Sequence, residues 1–373
     1  MLPLLLTNLL SHIVPPRLSH PFGPGSSRGH RTRAKPINLA LQGGGAHGAF
    51  TWGVLDQLLE DGRVRVEGVS GASAGAVNAV MLLDGLVRGG PEEARARLAD
   101  FWRAVSVDGR LPELQRGVVE RLFSLLPAEG TWLGLTRVLS PYDFNPLNIN
   151  PLKQIVERFV DFEALRRDRS RAIFVCATNV HTGEPRVFTR EEITPEVIMA
   201  SAALPLLFRA VEIDGVPYWD GGYSGNPAII PFLRATATED VLVVQINPRE
   251  RRSVPTRARD IVSRINEINF NAPLLSELRG IAFVNRLIDE GRLPRGIGAG
   301  EFRCLRLHRI VMDDLGAEST AHGTLARDYH YFETLRKLGQ RATRRFLDAH
   351  FDDIGRRSTI DMPAHGEAEL AKL

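Results

Sequence analysis

Between residues 37 and 87 the chain passes twice from a short apolar run, through a turn of tiny residues, into an apolar helical pattern. The first pass is Ile37-Asn38-Leu39-Ala40-Leu41-Gln42, then Gly43-Gly44-Gly45-Ala46-His47-Gly48, then Phe50, Val54, Leu55, Leu58 and Leu59 at helical spacing, closed by Asp61-Gly62. The second is Val64 to Ser70, then Gly71-Ala72-Ser73-Ala74-Gly75, then an apolar helix from about Ala76 to Val87. Successive strand–turn–helix units predict a parallel sheet with helices on its faces. A right-handed crossover places the two turns at the same end of neighbouring strands.

Further strands are expected at 172–177, 186–188, 211–213, 241–246 and 304–310, and helices at 92–104, 261–270, 274–288 and 325–350. The expected organisation is an N-terminal arm over 1–36, a catalytic domain over 37–350 with a helical insertion at about 105–150, and a tail over 351–373. A chain of 373 residues with 43% hydrophobic positions can bury a core without staples. Its two cysteines, Cys176 and Cys304, are too few for a disulfide framework or a zinc site.

Gly71-Ala72-Ser73-Ala74-Gly75 has the strand-to-helix context of a nucleophile elbow, where Ser73 occupies a strained backbone position and its neighbours must be small. The bland alternative is a packing turn of small residues. The glycine loop at 43–48 ends a strand and opens a helix, so its amides suit an anion. Gly43, Gly45 and Gly48 also satisfy the dinucleotide fingerprint, with Glu67 about where a ribose-binding acid belongs. The other anion is the oxyanion formed when a serine attacks an ester. The crossover, which aims the loop at Ser73, favours the oxyanion.

A serine hydroxyl needs a base. Tyr218-Trp219-Asp220-Gly221-Gly222 offers one, an acid leaving an extended segment into a double-glycine turn, although Asp-Gly-Gly also marks ordinary hairpins. Burial beside Trp219 would raise the carboxyl pKa and make Asp220 a better base. Among histidines, His181 and His308 fall near strand ends, and His47 lies in the glycine loop, where it orients the loop or contacts substrate. An α/β-hydrolase triad is disfavoured, because only one strand precedes the one that carries Ser73.

Taken in order, Gln42-Gly43-Gly44-Gly45-Ala46-His47-Gly48, Gly71-Ala72-Ser73-Ala74-Gly75 and Asp220-Gly221-Gly222 resemble the three signature blocks of the patatin-like phospholipases, over roughly residues 37–250. The resemblance implies a three-layer α/β/α fold with a mostly parallel central sheet. It also implies hydrolysis of lipid acyl esters, of the phospholipase A or lysophospholipase type, by a serine–aspartate dyad without metal or cofactor. Ser73 is then the nucleophile and Asp220 its general base. The amides of Gly44 and Gly45 are the oxyanion donors, and Gly43, Ala46, His47, Gly48 and Ala74 contribute to the same pocket. Gly71, Gly75, Gly221 and Gly222 shape the elbow and the dyad turn. Many family members carry Arg or Lys where His47 stands, so a loop-stabilising ion pair is absent or pH-dependent here, and Asp-Gly-Gly replaces the commoner Asp-Gly-Ala.

The formal net charge of +3 points to no nucleic-acid partner. Residues 1–36 hold Arg17, Arg28, Arg31, Arg33 and Lys35 and no acid, which leaves the body slightly acidic. The arm suits weak contact with an anionic surface. No run is long and apolar enough for a spanning helix, and the leucine-rich start lacks the basic region and cleavage site of a secretory signal. A cytoplasmic enzyme with peripheral membrane contact is the expectation. Two other readings stand beside it: a non-catalytic protein binding lipid or granule surfaces, and a dinucleotide-binding protein.

Overall fold

The computed structural model describes residues 34–106, 140–251, 253–296, 303–312 and 328–360. Most of the expected insertion at 105–150 lies outside these residues. The first unit has the order of elements read from the sequence: β1 (Lys35–Leu41), α1 (Gly48–Asp61), β2 (Val64–Ala72), α2 (Ala74–Arg88) and α3 (Pro91–Ala104). Next come α4 (Pro141–Phe144), α5 (Pro151–Phe159), α6 (Phe162–Arg167), β3 (Ala172–Asn179), β4 (Pro185–Thr189), α7 (Pro195–Ser201), β5 (Val211–Ile213) and β6 (Val216–Asp220). The chain continues through α8 (Phe232–Ala235), β7 (Asp240–Gln245), α9 (Ala258–Asp289), β8 (Arg306–Val311) and α10 (Tyr329–His350).

The strands form one sheet in the order β5-β6-β3-β2-β1-β7-β8, with β4 also paired to β3. Neighbours from β3 to β8 along this order are parallel, while β4, β5 and β6 are antiparallel to their partners. The central strands are buried on both faces, the condition that near-continuous apolar runs meet. On β7, Leu242 and Val244 join the cluster built by Phe50, Val54, Val80, Leu98 and Phe332 from the helices of one layer. Val241 and Val243 face the other way, onto Phe232, Leu274, Leu278 and Ile281 of α8 and α9. This is a three-layer α/β/α arrangement with a mostly parallel central sheet.

Three boundaries differ from expectation. β1 starts at Lys35 because the Lys35 ammonium donates to the carbonyls of Phe351 at 2.7 Å and Ile354 at 2.8 Å and lies 4.5 Å from the Phe351 ring centroid. The same contacts fold residues 351–360, the first part of the expected tail. There the Gly355 N–H donates to Asp240 and the Thr359 N–H to the Leu307 carbonyl. Finally, the two helices expected at 261–270 and 274–288 are one helix of 32 residues with Pro273 inside it. A proline removes the donor for the carbonyl four residues back. Here that carbonyl belongs to Asn269, an exposed residue of α9.

Candidate active site

β1 and β2 are adjacent and parallel, with Leu41 opposite Gly71, so the glycine loop and the turn after β2 leave the same edge of the sheet side by side. Contact is close. A Cβ on Gly43 would stand 2.7 Å from the Ser73 Cβ, and one on Gly75 would stand 2.1 Å from the Leu41 carbonyl oxygen. Any side chain at either position would separate the loop from the elbow.

Ser73 has φ 53° and ψ −124°. A non-glycine residue with this backbone is strained at an expected 1–3 kcal/mol and persists only where its surroundings hold it. Its amide donates to Ser201 Oγ at 2.9 Å, and Ser201 Oγ donates in turn to the Cys176 carbonyl at 2.6 Å. Asn78, one turn into α2, donates to the carbonyls of both Gly48 and Ala74 and accepts from the Trp102 indole. The starts of α1 and α2 are thereby joined.

The register of β3 brings the acid to the serine. β4 occupies one edge of β3 from Phe174 to Thr178, so β2 and β6 share the other. On that shared edge Ala72, the last residue of β2, faces Cys176, and Asp220, the last residue of β6, faces Ala177. Ala72 and Asp220 therefore occupy consecutive places on one strand edge, and Ser73 follows Ala72 directly, although 147 residues separate it from Asp220 in sequence.

Asp220 is fully buried. One carboxylate oxygen accepts the Gly222 N–H at 2.7 Å, and the other, Oδ2, has no partner at hydrogen-bonding geometry. Burial pushes its pKa up to about 7, opposed by the nearby Ser73 hydroxyl and the Gly222 amide. The Ser73 hydroxyl is thus within the carboxyl group's influence, although it does not meet Oδ2 at hydrogen-bonding geometry. Contacts of this kind tighten when substrate is bound.

The glycine loop is held by buried carboxamides. Asn226 Oδ1 accepts the Gly43 N–H at 2.6 Å, and Asn247 Nδ2 donates to the Gly43 carbonyl at 2.7 Å. Gln42 Oε1 accepts from the amides of Ile246 and Asn247, while its Nε2 donates to Asn271. Gly43, expected in the oxyanion pocket, commits its N–H to Asn226. The Gly48 amide is likewise turned inward, to the carbonyls of Gly45 and Ala46. The amides of Gly44, Gly45 and Ala74 have no partner among the described residues, and Gly45 reaches its place through a left-handed φ of 57°.

His47 is buried, and neither ring nitrogen has a hydrogen-bond partner. Burial lowers its pKa to about 4, with Glu267 acting against this and Arg251 with it. It holds no charge at neutral pH, so the ion pair expected of an Arg or Lys here is absent. Gly222 packs under Phe270: an added Cβ would lie 2.3 Å from the ring, which explains a second glycine after Asp220.

Other expected groups lie elsewhere. Glu67 accepts from Thr238 N–H and Arg65, five residues before the end of β2, and does not approach the glycine loop as a ribose ligand would. His308 bonds Asp240 at the start of β7, the far end of the sheet, and His181 is exposed in the turn after β3. Ser201, Asn226 and Asn247 were not legible in the sequence. Each acts through a fold-level contact and belongs to no local pattern.

The family model for patatin-like phospholipases matches residues 39–233, a span that contains the loop, the elbow and Asp220. The chain belongs to the patatin-like phospholipase family. No curated protein matches the chain in sequence. Solved structures that are similar include VipD from Legionella pneumophila, at 16% identity and a TM-score of 0.37, over 85% of this chain and 67% of that one. Human GIVD cytosolic phospholipase A2 matches at 14% identity and a TM-score of 0.46, over 86% and 58%. ExoU, in its complex with SpcU from the type III secretion system of Pseudomonas aeruginosa, matches at 18% identity and a TM-score of 0.27, over 73% and 61%. The patatin-like chain thus spans about three fifths to two thirds of the length of these proteins.

Proposed function

We propose that this patatin-like chain cleaves lipid acyl esters with Ser73 as nucleophile and Asp220 as general base. The observation that carries the reading is the shared edge of β3, which sets the strained serine next to a fully buried carboxylate with an open oxygen. Asp220 takes the hydroxyl proton as Ser73 Oγ attacks the ester carbonyl, and the oxyanion is received by the amides of Gly44, Gly45 and Ala74. Collapse breaks the ester bond, Asp220 returns its proton to the departing alcohol, and an acyl-enzyme remains. Asp220 then deprotonates water, which attacks the acyl carbonyl; collapse frees the fatty acid, and the proton returns to Ser73 Oγ.

Two features support the roles. A carboxyl with a pKa near 7 is a stronger base than an exposed one, yet half or more ionised at neutral pH. The free amides sit at the N-terminus of α2 and in the glycine loop, where developing negative charge is stabilised. One such donor is worth about 2.7–4 kcal/mol of transition-state energy. The test is hydrolysis of a short p-nitrophenyl ester by wild type, Ser73→Ala and Asp220→Asn. Loss of turnover in both variants supports the dyad, and equal rates in wild type and Ser73→Ala overturn it.

A further inference from the structure

Phe270 and Asn271 of α9 lie level with the glycine loop, since Gln42 donates to the Phe270 carbonyl and to the Asn271 side chain. The helix runs from the far side of that level down along the sheet, so residues 258–269 project past the strand ends by roughly 18 Å at 1.5 Å per residue. They lie beyond the same strand ends that carry the glycine loop and Ser73. Phe270 packs on Tyr223, three residues after Asp220, at a ring separation of 5.2 Å.

The projecting segment has two faces. Inward, Glu267 is buried and paired with Arg251 and Arg264, and Asn271 continues the line toward Leu274 and Leu278 in the core. On a flank, Ile261, Ile265 and Ile268 recur at i, i+4 and i+7 and are 41%, 49% and 51% exposed. Val254, in the loop leading to the helix, is 85% exposed. Residues 249–267 carry six arginines and three acids. Arg249 and Arg257 are exposed and form no ion pair among the described residues. A basic segment with an exposed branched-aliphatic stripe matches the makeup of helices that lie in a membrane interface, with apolar side chains in the acyl boundary and cations at anionic headgroups.

We propose that the projecting half of α9 docks this enzyme on anionic lipid surfaces, Ile261, Ile265 and Ile268 entering the interface while Arg249 and Arg257 meet headgroup phosphates. The inference rests on the lipid-hydrolase reading above, and supplies the surface through which the dyad meets aggregated substrate. The net positive charge of the segment selects a lipid surface over a second copy of the chain, because two such segments repel.

The test is co-sedimentation of the full chain with phosphatidylcholine vesicles that contain or lack phosphatidylglycerol, alongside turnover of a soluble p-nitrophenyl ester. Wild type is expected to pellet with the anionic vesicles and not with pure phosphatidylcholine. The triple variant Ile261→Ser, Ile265→Ser, Ile268→Ser is expected to lose at least about tenfold in vesicle affinity. Arg257→Gln should lose about fivefold, and both should keep soluble-ester turnover and thermal midpoint. Unchanged vesicle binding in the triple variant overturns the proposal and assigns any binding to another part of the chain. A concentration-dependent dimer that the triple variant abolishes overturns it in favour of self-association. A fall in thermal midpoint with unchanged vesicle binding overturns it in favour of a cover from the same chain. Turnover by wild type without vesicle binding sinks the docking alone, whereas vesicle binding with equal turnover in Ser73→Ala sinks the dyad alone.

Discussion

Asn226 accepts the Gly43 amide proton at 2.6 Å, so the Gly43 N–H is committed to holding the loop. With Asn247 on the carbonyl of the same residue, the loop is held from both sides ahead of its free amides. Asn226→Ala would leave a buried N–H without an acceptor, at about 1–3 kcal/mol of stability. If Gly44 and Gly45 receive the oxyanion, the same change should lower kcat on a soluble ester by about 10²–10³, the usual effect of a displaced donor. Steady-state kinetics together with thermal melting separate the two losses, and an unchanged kcat would remove Asn226 from any positioning role.

Ser201 supports the elbow in the same manner, accepting from Ser73 and donating to Cys176. Ser201→Ala should reduce kcat by roughly tenfold to a hundredfold with little effect on KM, because small misplacements of a nucleophile are costly. Ser201→Thr, which keeps the hydroxyl, should restore most of the rate. Failure of the threonine to rescue would show that packing at 201, rather than the hydrogen bond, matters.

The pH dependence of Asp220 has a definite sign. Its folded pKa of about 7 lies above the ordinary 3.8, so the folded chain binds the extra proton and stability falls as pH rises from about 4 to about 7. Turnover moves the opposite way, rising through about pH 7 as the base ionises. Asp220→Asn should therefore abolish turnover and gain stability relative to wild type as pH is raised, by about 2–3 kcal/mol between pH 5 and pH 8. Denaturant melts at the two pH values check this, and an advantage independent of pH would contradict the buried ionised carboxylate.

His47 acts with the reverse sign. Its pKa of about 4 lies below the ordinary 6.5, so the unfolded chain binds the proton and stability is lost as pH falls through that interval. Replacing it by Leu should remove about 2 kcal/mol of the difference in stability between pH 7 and pH 5. Arg at this position would bury a cation near Arg251 and should destabilise the chain at every pH. A wild-type-like acid response in His47→Leu would refute the assignment.

At Gly222 an added Cβ meets the Phe270 ring. Gly222→Ala is expected to cost about 1–3 kcal/mol by overpacking. Combined with Phe270→Leu it should cost less than the two single changes together. A double-mutant cycle measures the coupling, and strict additivity would mean that the ring is not the obstacle.

How much of this was legible in the sequence follows the range of each contact. The two strand–turn–helix units announced β1 beside β2, the loop beside Ser73 and the parallel sheet, because local patterning and crossover handedness determine those. Asp220 could be named as a candidate base from an acid before two glycines, but its place on the β2 edge of β3 depends on an antiparallel pairing that no local pattern encodes. Lys35 looked like part of a basic arm until its carbonyl partners at 351–354 were seen. Asn226 and Asn247 are single polar residues whose meaning arises only when distant segments meet at Gly43. Pro273 read as a break because the chain pattern cannot show that the carbonyl it orphans belongs to an exposed residue, Asn269.

The β3 edge carries a last consequence. In a strand, a slip of one residue moves a side chain by about 3.3 Å and turns it to the opposite face of the sheet. The β1–β2 unit can form with Ser73 already in its turn, yet no base stands beside it until β6 has paired with β3 in the correct register. Ester turnover by the dyad would then appear only after this antiparallel pairing near the site has formed. Recovery of activity during refolding should therefore lag behind recovery of helical signal and report the moment at which that antiparallel strand locks in place.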